Sequence, residues 1–512
     1  MAPLSVTNNP LDDPFYYLNN FQQVLAWLAT RYADVLSPEE QRFIDEFASL
    51  PRASQGLLVR MVMRKGLHFR QSKLHYPEIG DIGSAIEPLL ARGWVEDQAP
   101  LGLGELFEVL LKQEIILCLG HLIEHPKATK GQWLESLQDH FNQPQPFRSW
   151  CPRLEDRLFS LTIMNLCDRL RLLFFGNLYQ DWSEFVLADL GIFTYETVEF
   201  SAQSRGLRSR QDVDACLFLH ECQQRVEAGE PLEEIVAQVH ALSLDNPWLE
   251  RRRGKLLFQI GQHAERIGDF TLALRIYQDC NYPGARLRMI RVLERIGEYA
   301  QALEWGEAAA QSPQSAAETQ ALLRILPRLR RKLGGPPVPR PLARKVERLD
   351  LHLPRVDPAL SVEYHVQAHL HDETAPVHYV ENSLINSLFG LLCWPVIFAP
   401  LPGAFFHPFQ RGPVDLLNED FHHRRAELFA ACFAQLDDGR YRDTIVRRYT
   451  EKWGVQSPFV FWGALSEELL HQALDCLPAV HVKHWFSRLV LDTRASRAGM
   501  PHLIQFRPQH KT

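Results

Sequence analysis

Glu265-Arg266-Ile267-Gly268-Asp269-Phe270-Thr271-Leu272-Ala273-Leu274 recurs 29 positions later as Glu294-Arg295-Ile296-Gly297-Glu298-Tyr299-Ala300-Gln301-Ala302-Leu303. A glycine, an acidic residue and an aromatic, with Ala-Leu three positions on, describe a helix that stops, a second that starts, and a small residue where the two touch. Two such units in succession predict a stack of helical hairpins over 246–334, each burying its apolar face against the next.

The repeat is tetratricopeptide-like, with a period shorter than the usual ~34 residues. Upstream, residues 14–50 carry apolar positions at helical spacing. There Ser37-Pro38-Glu39-Glu40 reads as an N-cap, a first-turn proline and acidic first-turn residues. Downstream, Gly334-Gly335-Pro336-Pro337-Val338-Pro339-Arg340-Pro341 can continue neither a helix nor a central strand, so a new unit is expected from about 350. That unit is rich in His, Phe and Trp, with helices predicted at 381–392, 419–436 and 465–475 and a strand at Leu503–Phe506.

With 512 residues and 46% hydrophobic content, the chain can bury several cores, and a prior of about 150 residues per domain suggests three or four units. No run of about 18 apolar residues occurs, and the first residues, MAPLSVTNNPLDDPFYY, lack a charged head and an apolar middle. A soluble cytoplasmic protein is the expectation. Nine cysteines without a CxxC pair point to reduced, packed thiols, and give no zinc site or disulfide framework. The net charge of −7 excludes uniform basicity but leaves room for local basic tracks. One such track gathers Arg324, Arg328, Arg330, Arg331, Lys332, Arg340, Arg344, Lys345 and Arg348; smaller groups lie at Arg60–Arg70, Arg205–Arg210 and Arg251–Lys255. Each is also what a solvated face or linker looks like.

The fold class that follows is mainly α and multidomain. It comprises a helical region at 1–56, a SAP/winged-helix-like DNA-binding region at 57–145, a helical connector at 146–245, the repeats at 246–334, and an α/β domain at 350–512. Within the second region, 103–120 and 130–138 read as a helix pair with Lys127 and Lys130 at the start of the second helix. Lysines and free helix amides both favour phosphate. His365 and His369 stand four apart, near His371, Asp372 and Glu373, but solvated helix histidines explain them more simply. His422-His423-Arg424-Arg425 suits either phosphate or a helix surface, and Trp394, Trp453, Trp462 and Trp485 read as core.

Three stretches resemble one family. LVRMVMRKGLHFRQSKLHY at 58–76 resembles its front-domain signature, and HYVENSLINSLFGLLCWPVIFAPLPGAFFHPFQRGPVDL at 378–416 resembles the opening of its nuclease domain. MPHLIQF at 500–506 resembles that domain's metal-binding segment. The family is the bacterial branch of the Fanconi-associated DNA-repair nucleases, with a virus-type replication-repair (VRR-NUC) nuclease domain of restriction-endonuclease-like α/β fold. The resemblance implies a phosphodiesterase I class enzyme, acting as 5′ flap endonuclease and 5′-to-3′ exonuclease in interstrand crosslink repair. It implies Mg2+ or Mn2+ as cofactor and branched, flapped or crosslinked DNA as partner, in a cytoplasmic, nucleoid-associated bacterial protein. Lys65, Arg70, Lys73, Lys127, Lys130, Arg494 and Arg497 are the expected DNA contacts.

By the same resemblance Glu381 matches a helix glutamate that holds metal, and His502 stands at the strand aspartate of a Pro-Asp pair. The family pattern then requires a Glu-x-Lys on a following strand, whereas only Arg507-Pro508-Gln509-His510-Lys511-Thr512 remain after Phe506. The nuclease domain therefore reads as incomplete at its C-terminal end, with one of four expected side chains present. Hard divalent cations that polarise a phosphoryl oxygen want carboxylate oxygens, and a neutral imidazole is a poor substitute. Two expectations stand side by side: a family nuclease of weak or absent activity, or a non-catalytic DNA-binding scaffold with a vestigial nuclease domain.

Overall fold

The computed structural model describes residues 13–141, 143–184, 193–336, 348–354 and 360–512. Arg340, Arg344 and Lys345, and most of the Gly-Pro stretch before them, lie outside the described residues. The chain divides into two compact units, 1–193 with 207–213, and 194–206 with 214–512. Among the described residues no helix is long and apolar enough to cross a membrane.

The first unit opens on helices Tyr16–Arg31, Pro38–Ser49 and Arg52–Val62. The expected start of the second helix is a full capping box. Ser37 Oγ accepts from the Glu40 amide at 3.2 Å, and the Glu40 carboxylate accepts from the Ser37 amide at 2.9 Å. Strand Leu158–Leu161 lies between His68–Arg70 and Val95–Glu96 in a three-stranded antiparallel sheet. Sequence reading assigned 158–161 to a helical connector, because four buried residues, Leu-Phe-Ser-Leu, carry no period of their own and their partners lie more than 60 positions upstream.

A single helix over 103–120 is also corrected. The chain breaks into Leu103–Val109 and Lys112–Leu119, since Glu114 folds back to accept from the Leu111 amide at 2.6 Å and starts a new helix there. Helix Lys130–Leu137 begins at a Thr129/Gln132 capping box, and the buried Trp133 and Trp150 each find a backbone carbonyl, of His125 and Leu101, at 2.9 Å.

The second unit carries the repeats as helices Pro247–Ile267, Phe270–Asp279, Ala285–Ile296, Tyr299–Gln311 and Ala316–Lys332. Gly268 and Gly297 end their helices at φ of 88° and 93°, a left-handed turn that costs a side-chain-bearing residue strain. Ala273 and Ala302 are fully buried, where neighbouring helices touch. The repeated glutamate has a repeated job: Glu265 holds Arg288 at 2.9 Å, and Glu294 holds Arg328 at 2.5 Å, each tying one hairpin to a later helix. The same core reaches upstream to Leu219, Cys222 and Ile235, so the helical stack starts before 246.

Beyond residue 360, helix Leu384–Leu392 is buried along its whole length and forms the centre of a second core. It begins three residues later than the expected 381. Helices Ala426–Asp438, Tyr441–Glu451, Glu467–Cys476 and Ala479–Leu491 surround it. Gly390 sits where a Cβ would come within 2.7 Å of Phe459, which explains the glycine in the Leu-Phe-Gly-Leu-Leu run. Strand Val377–Tyr379 pairs antiparallel with Leu503–Gln505, giving this end its α/β character.

Replacing Ala273 or Ala302 by Phe is expected to overpack the hairpin contacts and lower stability by about 1–3 kcal/mol. Chemical denaturation followed by circular dichroism measures it, and an unchanged midpoint for both variants contradicts the packing described.

Candidate metal centre and nucleic-acid interface

The strand pair decides the geometry of the C-terminal site. Tyr379 lies opposite Leu503, and the ladder runs one bond further, from the Val380 amide to the His502 carbonyl at 2.8 Å. Glu381 and His502 are thereby brought face to face. Glu381 occupies the turn before the buried helix, three residues ahead of its first residue Leu384, which corrects its expected place on the helix. Asn382 follows at φ 52°, a conformation asparagine tolerates better than most residues. Its side-chain oxygen accepts from the Met500 amide at 3.1 Å, while the buried Asn386 amide donates to the carbonyls of Asn382 and Arg497, at 2.7 and 2.9 Å. Two loops more than a hundred residues apart are latched together by amides.

Within this frame the Tyr379 hydroxyl donates to Glu381 Oε2 at 2.5 Å, and Asn382 Nδ2 lies 3.4 Å from Oε1. The hydrogen bond to Glu381, reinforced by burial, pushes the Tyr379 hydroxyl up to about 12. His502 Nε2 stands 3.7 Å from Glu381 Oε1, and on its other side Nδ1 stands 3.4 Å from Glu363 Oε1. Glu363, in helix Val362–Leu370, was not singled out in the sequence. Its only local signal is an acidic residue in a helix's first turn, which is common. A hydrogen bond with the Ser361 side chain, then its own backbone, then His502, holds the Glu363 carboxyl below its ordinary value. The Tyr364 ring stacks on Tyr379 with centroids 5.4 Å apart, tying that helix to the strand.

Among the described residues no three His, Cys, Asp or Glu side chains stand in metal-binding geometry. The arrangement is two facing donors, one oxygen and one nitrogen, with a carboxylate behind the nitrogen. That set does not fit magnesium, which demands near-octahedral oxygen ligands. His365, His369 and His371 with Asp372 and Glu373 do not gather into a site; Asp372 instead accepts from the Thr374 amide and hydroxyl, and His371 Nδ1 accepts from the Val377 amide at 3.2 Å.

The expected DNA contacts fall into two groups. Lys65 and Lys73 are exposed, with Arg64, around a cleft of about 250 Å3 in the first unit, and Lys127 and Arg494 are exposed as well. Arg70 lines the same cleft but is buried, its guanidinium committed to Glu114 at 2.6 Å and Asp156 at 2.8 Å. It ties the sheet to the helix pair from a position that is only 6% exposed. Arg497 donates to the Pro458 carbonyl and lies over the Phe459 ring, and burial pulls its guanidinium below the ordinary value. Lys130 donates to the Leu110 carbonyl at 2.9 Å and only partly faces solvent. Arg424 and Arg425 both pair with the buried Asp415, so the His-His-Arg-Arg run is structural.

The chain is 54% identical over 510 residues to the Fanconi-associated nuclease 1 homolog of Pseudomonas aeruginosa, covering 100% of this chain and 91% of that protein. It belongs to the Fanconi-associated nuclease family. Family models agree in order along the chain: a FAN1 HTH domain at 15–96, a Fanconi anemia-associated nuclease SAP domain at 100–150, and a VRR-NUC domain at 436–512. The Arabidopsis thaliana Fanconi-associated nuclease 1 homolog is 25% identical over 555 residues, covering 96% of this chain and 62% of that protein. A crystal structure of paFAN1 bound to 2-nucleotide 5′ flap DNA with a gap superposes with a TM-score of 0.86 at 54% identity, covering 98% of this chain and 91% of that one. The Fanconi-associated nucleases are structure-specific DNA-repair nucleases, which accounts for helix-turn-helix and SAP modules, helical repeats and a nuclease domain on one chain.

The Asn382 latch has a direct readout. Asn382→Ala removes the acceptor of the Met500 amide and places a less tolerant residue at positive φ, so amide exchange across 500–504 is expected to accelerate. Unchanged exchange there contradicts the latch.

Proposed function

We propose that this chain binds branched or flapped DNA, and that its C-terminal site, built on Glu381 and His502, is the counterpart of the family's metal-dependent hydrolytic centre with its chemistry weakened. The observation that carries the reading is Glu381 facing an imidazole where the family pattern expects a carboxylate. A divalent cation held by carboxylates supplies phosphoryl polarisation and an activated water in such nucleases. Here the Glu381 oxygens accept from Tyr379 and Asn382, His502 contributes no negative charge, and Arg497 is turned into the fold. We infer little or no cleavage with Mg2+ or Mn2+ at a site with an imidazole at residue 502.

Binding is a separate matter and draws on other residues. Lys65, Lys73 and Lys127 in the first unit and Arg494 in the second are exposed cations suited to the phosphate backbone. The relative solved with 5′ flap DNA supports flapped DNA as the ligand class. A binding protein without catalysis is the reading His502 favours, and a cytoplasmic, nucleoid-associated setting belongs to the same proposal.

Flap DNA affinity is expected to fall steeply as salt rises, with a slope reduced by about one for each phosphate-contacting lysine replaced. Fluorescence anisotropy checks it; absence of affinity for duplex, flap and single strand at low salt overturns the binding reading. In a 5′ flap cleavage assay with manganese, the unmodified chain is expected to cut poorly, and Glu381→Ala to remove whatever cutting His502→Asp restores. Robust cleavage by the unmodified chain, abolished by Glu381→Ala, overturns the inactive reading.

A further inference from the structure

We propose that the helical repeats carry a further DNA contact surface, on which Arg291, Arg324 and Arg331 grip the phosphate backbone of one duplex arm of the branched substrate. The proposal deepens the DNA-binding reading above and rests on it. It adds a module and three residues that the reading did not use.

Charge is the first support. Helices Ala285–Ile296 and Ala316–Lys332 carry eight arginines and one lysine against two glutamates, on a chain whose net charge is −7. Helix Tyr299–Gln311, which lies between them in sequence, carries Glu304 and Glu307 and neither Lys nor Arg. The stack is thus segregated by sign, helix by helix. The helix dipole favours cations in a last turn, which accounts for Arg330, Arg331 and Lys332. That effect fades within one turn, so it does not account for Arg291 or Arg324 in mid-helix.

The ion pairs between helices supply the geometry. Glu265 with Arg288 joins Pro247–Ile267 to Ala285–Ile296, and Glu294 with Arg328 joins the latter to Ala316–Lys332. Arg324, Arg328 and Arg331 recur at one-turn spacing and so form a row, which the Arg328–Glu294 pair turns toward helix Ala285–Ile296. On that helix Arg291 lies one turn before Glu294, with Arg288 and Arg295 one turn to either side of it. Arg291, Arg324 and Arg331 are exposed, and among the described residues none of the three pairs with a carboxylate. The carboxylates that reach these rows, Glu265 and Glu294, are each matched by an arginine.

The residue types select the occupant. A guanidinium presents a planar fork that meets phosphate oxygens two at a time. Cations one turn apart, about 5.4 Å of rise, lie within the Debye length of about 8 Å and act on a polyanion together. The row Gln320, Arg324, Arg328 and Arg331 contains no large apolar side chain, so it offers a peptide no anchor, whereas a nucleic-acid backbone needs only the charges.

The test uses the full chain and fluorescence anisotropy with 5′ flap DNA, comparing the unmodified protein with the triple variant Arg291→Gln, Arg324→Gln, Arg331→Gln. Affinity is expected to fall at least about tenfold, and the slope of log affinity against log salt to shrink by about three. The matching triple lysine variant keeps the charge and is expected to keep the salt slope. The duplex arms are then shortened one at a time. Shortening one particular arm should cost the unmodified chain about as much as the triple glutamine substitution does, and should cost that variant little more. Unchanged affinity in the glutamine variant, or a loss that is the same whichever arm is shortened, overturns the inference. A short Asp/Glu-rich peptide is titrated alongside; if the glutamine variant loses the peptide and keeps DNA, the face belongs to an acidic protein partner and the inference falls. Absence of flap affinity in the unmodified chain at low salt counts against the DNA-binding reading itself, whereas flap affinity that the glutamine variant retains counts against the repeat surface alone.

Discussion

A three-residue strand pairing, 377–379 against 503–505, is the constraint on which the C-terminal site depends. Strand pairing has a period of two, so a slip of one residue would turn Glu381 and His502 to opposite faces. The register is held from both sides. Beyond Tyr379, the Val380 amide and the Asn382 side chain fasten the chain to His502 and Met500; before Val377, the Phe506 amide reaches the Pro376 carbonyl at 3.0 Å. The fully buried helix 384–392 then anchors the whole arrangement in the core, with Ser387 accepting from the Phe461 amide and Gly390 admitting Phe459. A site of three half-exposed side chains is thus carried by a rigid, dry support, the condition under which a small separation between donors is chemically meaningful.

A second theme is that several of the chain's basic residues are committed to carboxylates inside the fold. Burying a guanidinium without a partner is costly, and several arginines packed under a helix or sheet are held by a carboxylate. Arg70 with Glu114 and Asp156, Arg286 with Glu318 and Arg425 with Asp415 are of this kind. Two members of the Arg-rich track at the end of the repeats are likewise paired, Arg328 with Glu294 and Arg330 with Glu307. Exposed among the described residues are Lys65, Lys73, Lys127 and Arg494, on a chain whose net charge is −7. Modest numbers of cations on separate modules favour recognition of DNA shape over tight coating of a duplex.

The identity of residue 502 then matters more than its neighbours. A carboxylate there would join Glu381 and Glu363 in a cluster of three negative charges that only a hard divalent ion could neutralise. An imidazole instead sits between two carboxylates as a neutral or positive spacer. The same backbone therefore supports two electrostatically different sites, according to whether residue 502 is a carboxylate or an imidazole.

Much of the molecule was legible in its sequence, because the signals were local. Ser37-Pro38-Glu39-Glu40 announced a capped helix, the repeated Gly-acid-aromatic announced hairpins at 268 and 297, and the Leu503 strand was apparent from its apolar run. Caps, left-handed turns and tight alanines are set by residues within a few positions of one another, so spacing alone records them. Glu381 and His502 were found as the two halves of one site through family resemblance. Tertiary structure alone decided that Arg70 and Arg497 face inward, that Leu158–Leu161 completes a sheet begun at His68, and that Glu363 stands behind His502. These depend on contacts between residues tens to more than a hundred positions apart, where burial and ion pairing are settled by which surfaces meet, and no local pattern encodes that meeting.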